Sequence, residues 1–249
     1  MSELHITGAP YELFYWPTIQ GRGEVVRLAL EDAGVAYVDV ARLPPDAGGV
    51  RVMLDVMRDH GAGVRPLAPP FLRVNELVIA QTAAILHWLA PRIGLCPDDE
   101  AIRTRALQVQ LTLADVVSEA HDVHHPVATS LYFEDQKEEA KRAAKAFTKE
   151  RIPKFCGWLE SVLDAGAESD APYLAGPFTY VDLSAYWVVT GLRYAFPNAM
   201  ARHANEWPRL LARCHEVATR PNVAAYLASS RCAPWDENGI FRHYAELDP

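Results

Sequence analysis

Residues 68–90, APPFLRVNELVIAQTAAILHWLA, constrain the fold more than any other stretch of this chain. Pro69 and Pro70 predict a rigid extended or turn segment, because proline has no amide hydrogen and disfavours helix in the residue before it. Phe71–Val74 and Leu77–Ala80 are short strand-prone runs joined by a polar pair, which predicts a tight hairpin. The apolar residues that follow recur at helical spacing, so a helix should come directly after the hairpin.

Gln81 and Thr82 stand where that helix should begin, and Thr82 is the predicted N-cap. A helix start presents free backbone N–H groups and the positive end of the helix dipole, which suits a carboxylate or a phosphate. Taken alone, Thr82 is more simply explained as an ordinary cap with no ligand, since such caps are common.

The N-terminal part predicts a strand, a helix and a second strand. Residues 11–16, YELFYW, fit a buried strand that Pro17 ends. Residues 21–34 carry an apolar helical face closed by Gly34, and residues 36–41 can form the next strand. A further short helix is predicted within residues 50–59, in a segment that also carries Pro-Pro and Gly-Gly turn signals.

The proline, hairpin and Gln-Thr unit resembles the glutathione-binding half of the cytosolic glutathione S-transferases. In that family the proline is cis, the residue before it pairs through its backbone with the cysteinyl part of glutathione, and the Gln-Ser/Thr pair holds the γ-glutamyl carboxylate. The resemblance assigns these roles to Pro69, Ala68, Gln81 and Thr82. It also implies a thioredoxin-like fold for the N-terminal part.

Tyr15 carries the second resemblance. Tyr15-Trp16, a short loop and the segment 21–27, GRGEVVR, look like the tyrosine-type transferases, in which the tyrosine hydroxyl donates a hydrogen bond to the glutathione sulfur. A thiol with a pKa of ~8.5 is mostly protonated at neutral pH, so a donor aimed at the sulfur favours the nucleophilic thiolate. The loop is one residue longer than the family pattern, which keeps Thr18 as a second candidate donor. Without the resemblance, Tyr15 would be interpreted as a core aromatic.

The second half of the chain predicts helices. Residues 91–99, PRIGLCPDD, form a linker, and residues 101–126 and 134–166 carry long helical patterns. Thr179 and Asp182 form a variant capping box that opens a buried helix, a feature that the same family shares and whose role is folding.

The resemblance therefore implies a thioredoxin-like α/β domain at residues 1–92 followed by an all-α domain at residues 98–249 that carries the hydrophobic electrophile site. It also implies that Asp115 contacts the γ-glutamyl amine of glutathione in the partner subunit, although an ordinary exposed acid fits the composition as well.

Composition excludes several classes of function. A formal charge of −8 argues against a nucleic acid or an anionic membrane as partner. The N-terminus has no export signal, no apolar run reaches membrane-spanning length, and the four cysteines are scattered without a CxxC pair. These features predict a cytoplasmic protein with reduced thiols.

The three histidines at positions 121, 124 and 125 have helical spacing suited to a metal, but no HExxH motif and no third ligand of fixed spacing accompany them. No metal is expected.

The expected activity is transfer of glutathione, bound as a substrate, to a hydrophobic electrophile by a homodimer. A binding or scaffold protein without turnover is the alternative from another class, and a glutathione-dependent peroxidase or isomerase would use the same thiolate. The sequence assigns neither the electrophile nor the residue that holds the glycyl carboxylate, for which Arg42, Arg51 and Arg65 are candidates.

Overall fold

A computed structural model describes residues 11–59, 64–166 and 172–249 of the protein. It contains a small sheet with three flanking helices, followed by a larger helical region. The strands and helices are, in chain order, β1 Tyr11–Phe14, α1 Glu24–Asp32, β2 Tyr37–Asp39, α2 Gly49–Arg58, β3 Phe71–Val74, β4 Leu77–Ala80, α3 Thr82–Leu89, α4 Glu100–His124, α5 Lys137–Ala146, α6 Ile152–Gly166, α7 Tyr180–Ala195, α8 Pro197–Arg202, α9 Pro208–Thr219 and α10 Pro221–Leu227.

The four strands form one mixed sheet in the order β2-β1-β3-β4. Strand β1 pairs in parallel with β2 and antiparallel with β3, while β3 and β4 form the predicted hairpin. Asn75 turns that hairpin with a φ of 53°, a conformation that asparagine tolerates better than most residues. The strand order confirms the predicted thioredoxin-like α/β fold.

Alternating side chains place the sheet between two apolar layers. Leu13 and Leu72 belong to the large core cluster that includes residues of α1 and α3. Phe14 and Phe71 belong to a second cluster, with their ring centroids 4.5 Å apart, and Met53 of α2 is part of that cluster. The sheet is therefore covered on both faces.

Helix α7 lies at the centre of the helical region, where most of its residues are buried. The predicted capping box is confirmed at its start, since the Thr179 backbone N–H donates to the Asp182 carboxylate at 2.8 Å. At α4 the direction is reversed, because the side chain of the N-cap residue Asp99 accepts from the Ile102 N–H at 2.9 Å. Helices α5 and α6 are continuous through a five-residue π turn at Phe147–Arg151.

The sheet region and the helical region share one core, because α1 packs against α7 and α10 and α3 packs against α4. Within the described ranges, no helix combines the length and the apolar character needed to cross a membrane.

Three local predictions near the site are corrected. Strand β1 ends at Phe14, so Tyr15 belongs to the following loop. The prediction of Thr82 as an N-cap is wrong, because α3 already begins at Thr82 and Gln81 precedes it with a φ of 71°. The cis peptide bond joins Pro69 to Pro70, one bond later than the resemblance placed it, so the cis residue is Pro70, directly before β3.

Candidate functional site

Tyr15 lies in the loop between β1 and α1, with 4% of its surface exposed. Its hydroxyl oxygen accepts a hydrogen bond from the Arg22 backbone N–H at 3.0 Å. The hydroxyl proton has no acceptor among the described residues. Burial raises the pKa of Tyr15, and the bond from Arg22 offsets this only in part, so the phenol stays protonated at neutral pH.

The glycines of the GRG segment explain how Tyr15 is covered. A Cβ atom at Gly21 would lie 2.3 Å from the Tyr15 hydroxyl oxygen, and one at Gly23 would lie 2.3 Å from the ring carbon Cγ. Both distances are far below van der Waals contact, so only glycine fits at either position. The spacing in the sequence motif therefore reflects the close approach of this backbone to the tyrosine.

Arg27 fixes the same loop through hydrogen bonds to its backbone. Its guanidinium is fully buried and contacts the carboxylates of Asp39 at 2.7 Å and Glu24 at 3.1 Å. It also donates to the backbone carbonyls of Trp16 and Ile19. A buried cation is stable only when such partners surround it, and here they fix the course of the loop that carries Tyr15.

A cavity of about 530 Å³ lies between the sheet region and the helical region. Its partly exposed mouth includes Arg22, Gln81 and Thr82, and its buried floor includes residues of α4 and α7 such as Val117 and Trp187. The Arg22 side of the mouth is adjacent to Tyr15, although Tyr15 itself does not line the cavity.

Gln81 and Thr82 bring the start of α3 to this mouth, where the free N–H groups of a helix N-terminus favour an anion. The Thr82 hydroxyl donates to the Arg22 carbonyl at 2.9 Å. This bond joins α3 to the loop between β1 and α1, which carries Tyr15. Hydrogen bonds to the backbone of Arg22 therefore connect two parts of the predicted glutathione site, Tyr15 and the start of α3.

The other predicted site residues do not line the cavity. Thr18 and Ala68 are exposed, and Pro69 is partly buried. Asp115 is exposed on α4, where its neighbour Ala114 does line the cavity. Arg42, one candidate for the glycyl carboxylate, donates to the Pro17 carbonyl at 3.0 Å and pairs with Asp39 at 3.2 Å.

Gln110 is a cavity residue that the sequence did not reveal. It lies on α4 with 4% of its surface exposed, and its Oε1 accepts a hydrogen bond from the Ser184 hydroxyl at 2.6 Å. The pair links α4 to α7 at the cavity wall. A glutamine within an amphipathic helix gives no signal of such a role, because its partner is 74 positions away.

The three histidines near the end of α4 have separate environments. His121 and His125 stack with their ring centroids 4.9 Å apart, whereas His124 is fully buried beside Phe196 and Tyr244. Among the described residues there is no cluster of three or more His, Cys, Asp or Glu side chains arranged to hold a metal ion.

Comparisons with known proteins agree with this geometry. Residues 121–230 match the family model of the glutathione S-transferase C-terminal domain. The glutathione S-transferase of Plasmodium falciparum is 20% identical over 88% of this chain and 96% of its own length. Glutathione S-transferase Mu 3 of Mus musculus is 26% identical over 90% of this chain and 94% of its own length.

A solved structure, the Pi-class glutathione S-transferase of Onchocerca volvulus, superposes with a TM-score of 0.65 at 18% identity and covers 88% of this chain and 92% of that one. The protein therefore has the two-part fold of the glutathione S-transferases, with a thioredoxin-like region followed by an all-α region. The family model over residues 121–230, the relatives and the fold all show that this chain is similar to the cytosolic glutathione S-transferases.

Proposed function

We propose that this protein is a glutathione transferase of the tyrosine type, which binds glutathione, stabilises its thiolate and adds it to a hydrophobic electrophile. The observation that carries the proposal is the buried Tyr15 hydroxyl, which accepts from the Arg22 N–H and still has its own proton to donate. A protonated phenol aimed at the glutathione sulfur favours the thiolate over the thiol.

The γ-glutamyl carboxylate of glutathione is proposed to bind at the start of α3, between Gln81 and Thr82. The backbone of Ala68 is proposed to pair with the cysteinyl part of glutathione.

This reaction needs no residue that removes a proton from a carbon atom of the substrate. The thiol loses its proton to solvent, the sulfur forms a bond to an electrophilic carbon, and a leaving group departs or a double bond takes up the electron pair. The protein supplies orientation and a preorganised donor.

We also propose a homodimer in which α4 lies at the interface, so that Asp115 of one subunit approaches the glutathione of the other. Exposed Leu111 and Asp115 on this helix support that arrangement. A cytoplasmic location is supported by the four free cysteines of the described chain, which form no disulfide.

The decisive experiment is a pH titration of the ultraviolet absorbance of the thiolate of bound glutathione. A hydrogen bond to a charged group contributes ~1.5–3 kcal/mol, so Tyr15→Phe should raise the pKa of the bound thiol by about 1–2 units. Thr18→Ala is the matched control, since it also removes a hydroxyl from this loop and should leave that pKa unchanged.

An effect of Thr18→Ala alone would transfer the role of donor to Thr18. If the native protein does not bind glutathione at all, the binding or scaffold alternative replaces the enzyme.

A further inference from the structure

All the lysines of this chain lie within one short segment. They are Lys137, Lys141, Lys145, Lys149 and Lys154, and every other side chain with a permanent positive charge is an arginine. The first four recur at every fourth position, a spacing that brings side chains together on a helix surface. The structure places them on α5 and on the π turn Phe147–Arg151 that continues it. Positive charge is therefore concentrated along one helix of an otherwise acidic protein.

Three of these lysines line a second cavity. It has a volume of about 800 Å³ and lies between α5, the end of α8 and the last residues of the chain. Its cationic lining consists of Lys141, Lys145, Lys149, Arg202 and His203. No lining residue is shared with the cavity at Gln81 and Thr82. The lysine-lined cavity is therefore a separate place on the molecule.

The acids beside this cavity already have partners. Glu246 pairs with Lys137 at 3.2 Å. Asp248 is buried, and its carboxylate accepts from two backbone N–H groups of α8 at 2.6 Å and 2.9 Å. Arg202 lies 3.7 Å from the same carboxylate. These two carboxylates therefore do not neutralise the lysines that face the cavity.

The lysines themselves lack counter-charges. Lys145 and Lys149 have no carboxylate partner among the described residues. Lys141 pairs with Glu138 at 2.8 Å, but the Glu138 side chain is largely exposed, so this pair contributes little. Like charges one helical turn apart repel each other. An anion with several charges, bound in the cavity, would relieve that repulsion and interact with each ammonium group.

The spread of the charges indicates the shape of such an anion. Lys141 and Lys149 are eight residues apart, which corresponds to about 12 Å along a helix. One phosphate or sulfate ion is too small to contact both ends of this row, whereas a chain of linked phosphates follows it. The lysine ammonium group is a compact charge with three donors and is a common ligand of phosphate oxygens.

We propose that this cavity binds a linear polyphosphate group, either of a nucleotide or of inorganic polyphosphate, and that Lys141, Lys145 and Lys149 are its ligands. Arg202 contributes positive charge from the opposite wall. Leu247 also lines the cavity and offers an apolar contact for the organic part of a nucleotide. This inference does not depend on the function proposed above, because the two cavities share no lining residue.

The first test measures the binding of tripolyphosphate by calorimetry, at one ionic strength and without divalent metal ions. Lys145→Met and Lys149→Met keep most of the aliphatic stem and remove the charge. Each should weaken tripolyphosphate by about 2- to 5-fold. Lys154→Met is the matched control, because it removes the same charge from an exposed position outside the cavity and should leave the affinity unchanged.

Two further ligands distinguish the sources and the shape. Adenosine triphosphate that binds more tightly than tripolyphosphate indicates a nucleotide, and equal or weaker binding indicates the inorganic chain. Orthophosphate should bind at least 10-fold more weakly than tripolyphosphate, since it reaches about one lysine. Orthophosphate of equal affinity would overturn the linear polyphosphate.

Two other results would also overturn the inference. One is a native protein that does not bind tripolyphosphate. The other is an equal loss of affinity for Lys154→Met and Lys145→Met, which would mean a general attraction to the positive helix and no defined site.

A second measurement needs no variant and therefore holds even where a substitution prevents folding. Reductive methylation of the native protein, followed by mass spectrometry, gives the labelling rate of each lysine. Tripolyphosphate should slow the labelling of Lys145 and Lys149 and leave that of Lys154 unchanged. Equal protection of all three, or of none, would contradict the proposed site.

Discussion

His124 should make the folded protein sensitive to mild acid. The ring is fully buried, and neither nitrogen has a hydrogen-bond partner within the described part of the chain. It stacks at 6.2 Å from Phe196 and meets the ring of Tyr244 edge-on at 5.5 Å. Burial is the main reason that the pKa of His124 falls to about 3, and the nearby positive charge of Arg242 lowers it further.

The sign follows from proton linkage. The folded state keeps His124 neutral, whereas the unfolded chain takes up a proton below pH 6.5. The contribution of neutral His124 to the free energy of unfolding is therefore complete above pH 6.5. It is lost as the pH falls from 6.5 towards 3. At 1.36 kcal/mol per pH unit, the loss is about 2 kcal/mol at pH 5 and about 5 kcal/mol when the folded state also titrates.

His124→Phe should remove this loss. Urea unfolding at pH 7.5 and pH 5.0, at one protein concentration, gives the change in the free energy of unfolding for each variant. The change should be about 2 kcal/mol smaller for His124→Phe than for the native protein. The larger ring shifts stability at both pH values alike, so the comparison between the two pH values isolates the titration.

His215→Asn is the matched control, since it also removes a histidine, but one that is exposed on α9. His121 and His125 also have pKa values lowered by burial, but they are present in every variant and contribute equally. If the native protein and His124→Phe lose the same stability between pH 7.5 and 5.0, the reasoning is refuted.

Two further predictions concern the helical region. Asp182→Ala leaves the backbone N–H groups of Thr179 and Leu174 without their carboxylate acceptor, so the free energy of unfolding from urea curves should fall by about 2–4 kcal/mol. Asp182→Asn keeps one acceptor and should lose less; an Ala variant as stable as the native protein would contradict this role for the cap. For the proposed dimer, sedimentation velocity of the native protein should give twice the chain mass. Leu111→Glu should shift the measured mass towards that of the monomer, whereas Leu131→Glu, beyond the end of α4, should leave it unchanged. A native protein that sediments as a monomer would show the dimer proposal to be wrong.

The features predicted correctly from the sequence are those whose causes lie within a few residues of each other. The hairpin of β3 and β4 follows from turn and strand propensities, and the capping box follows from the three-residue spacing of Thr179 and Asp182. The sequence placed Thr82 at the start of α3 correctly to within one residue. Its hydroxyl does not cap the helix because it is bonded to the Arg22 carbonyl, 60 positions away.

The cavity floor was not predictable in this way. Gln110 gains its partner Ser184 only when α4 packs beside α7, and the same packing forms the cavity wall in which both residues lie. The position of the cis bond was equally inaccessible, because Ala68, Pro69 and Pro70 offer two consecutive X-Pro bonds and the pattern around them fits either.

The loop that carries Tyr15 is held in part by the segment after α10. Gln20 lies in this loop, and its side chain donates to the Ala233 carbonyl at 2.7 Å and accepts from the Trp187 ring N–H at 3.1 Å. It therefore ties the loop both to α7 and to the segment after α10. Arg27 fixes the same loop from the sheet side through Asp39 and the Trp16 carbonyl. In the proposed function, the hydroxyl of Tyr15 favours a thiolate only when it is held in one direction, so that proposed role depends on these contacts as much as on the phenol.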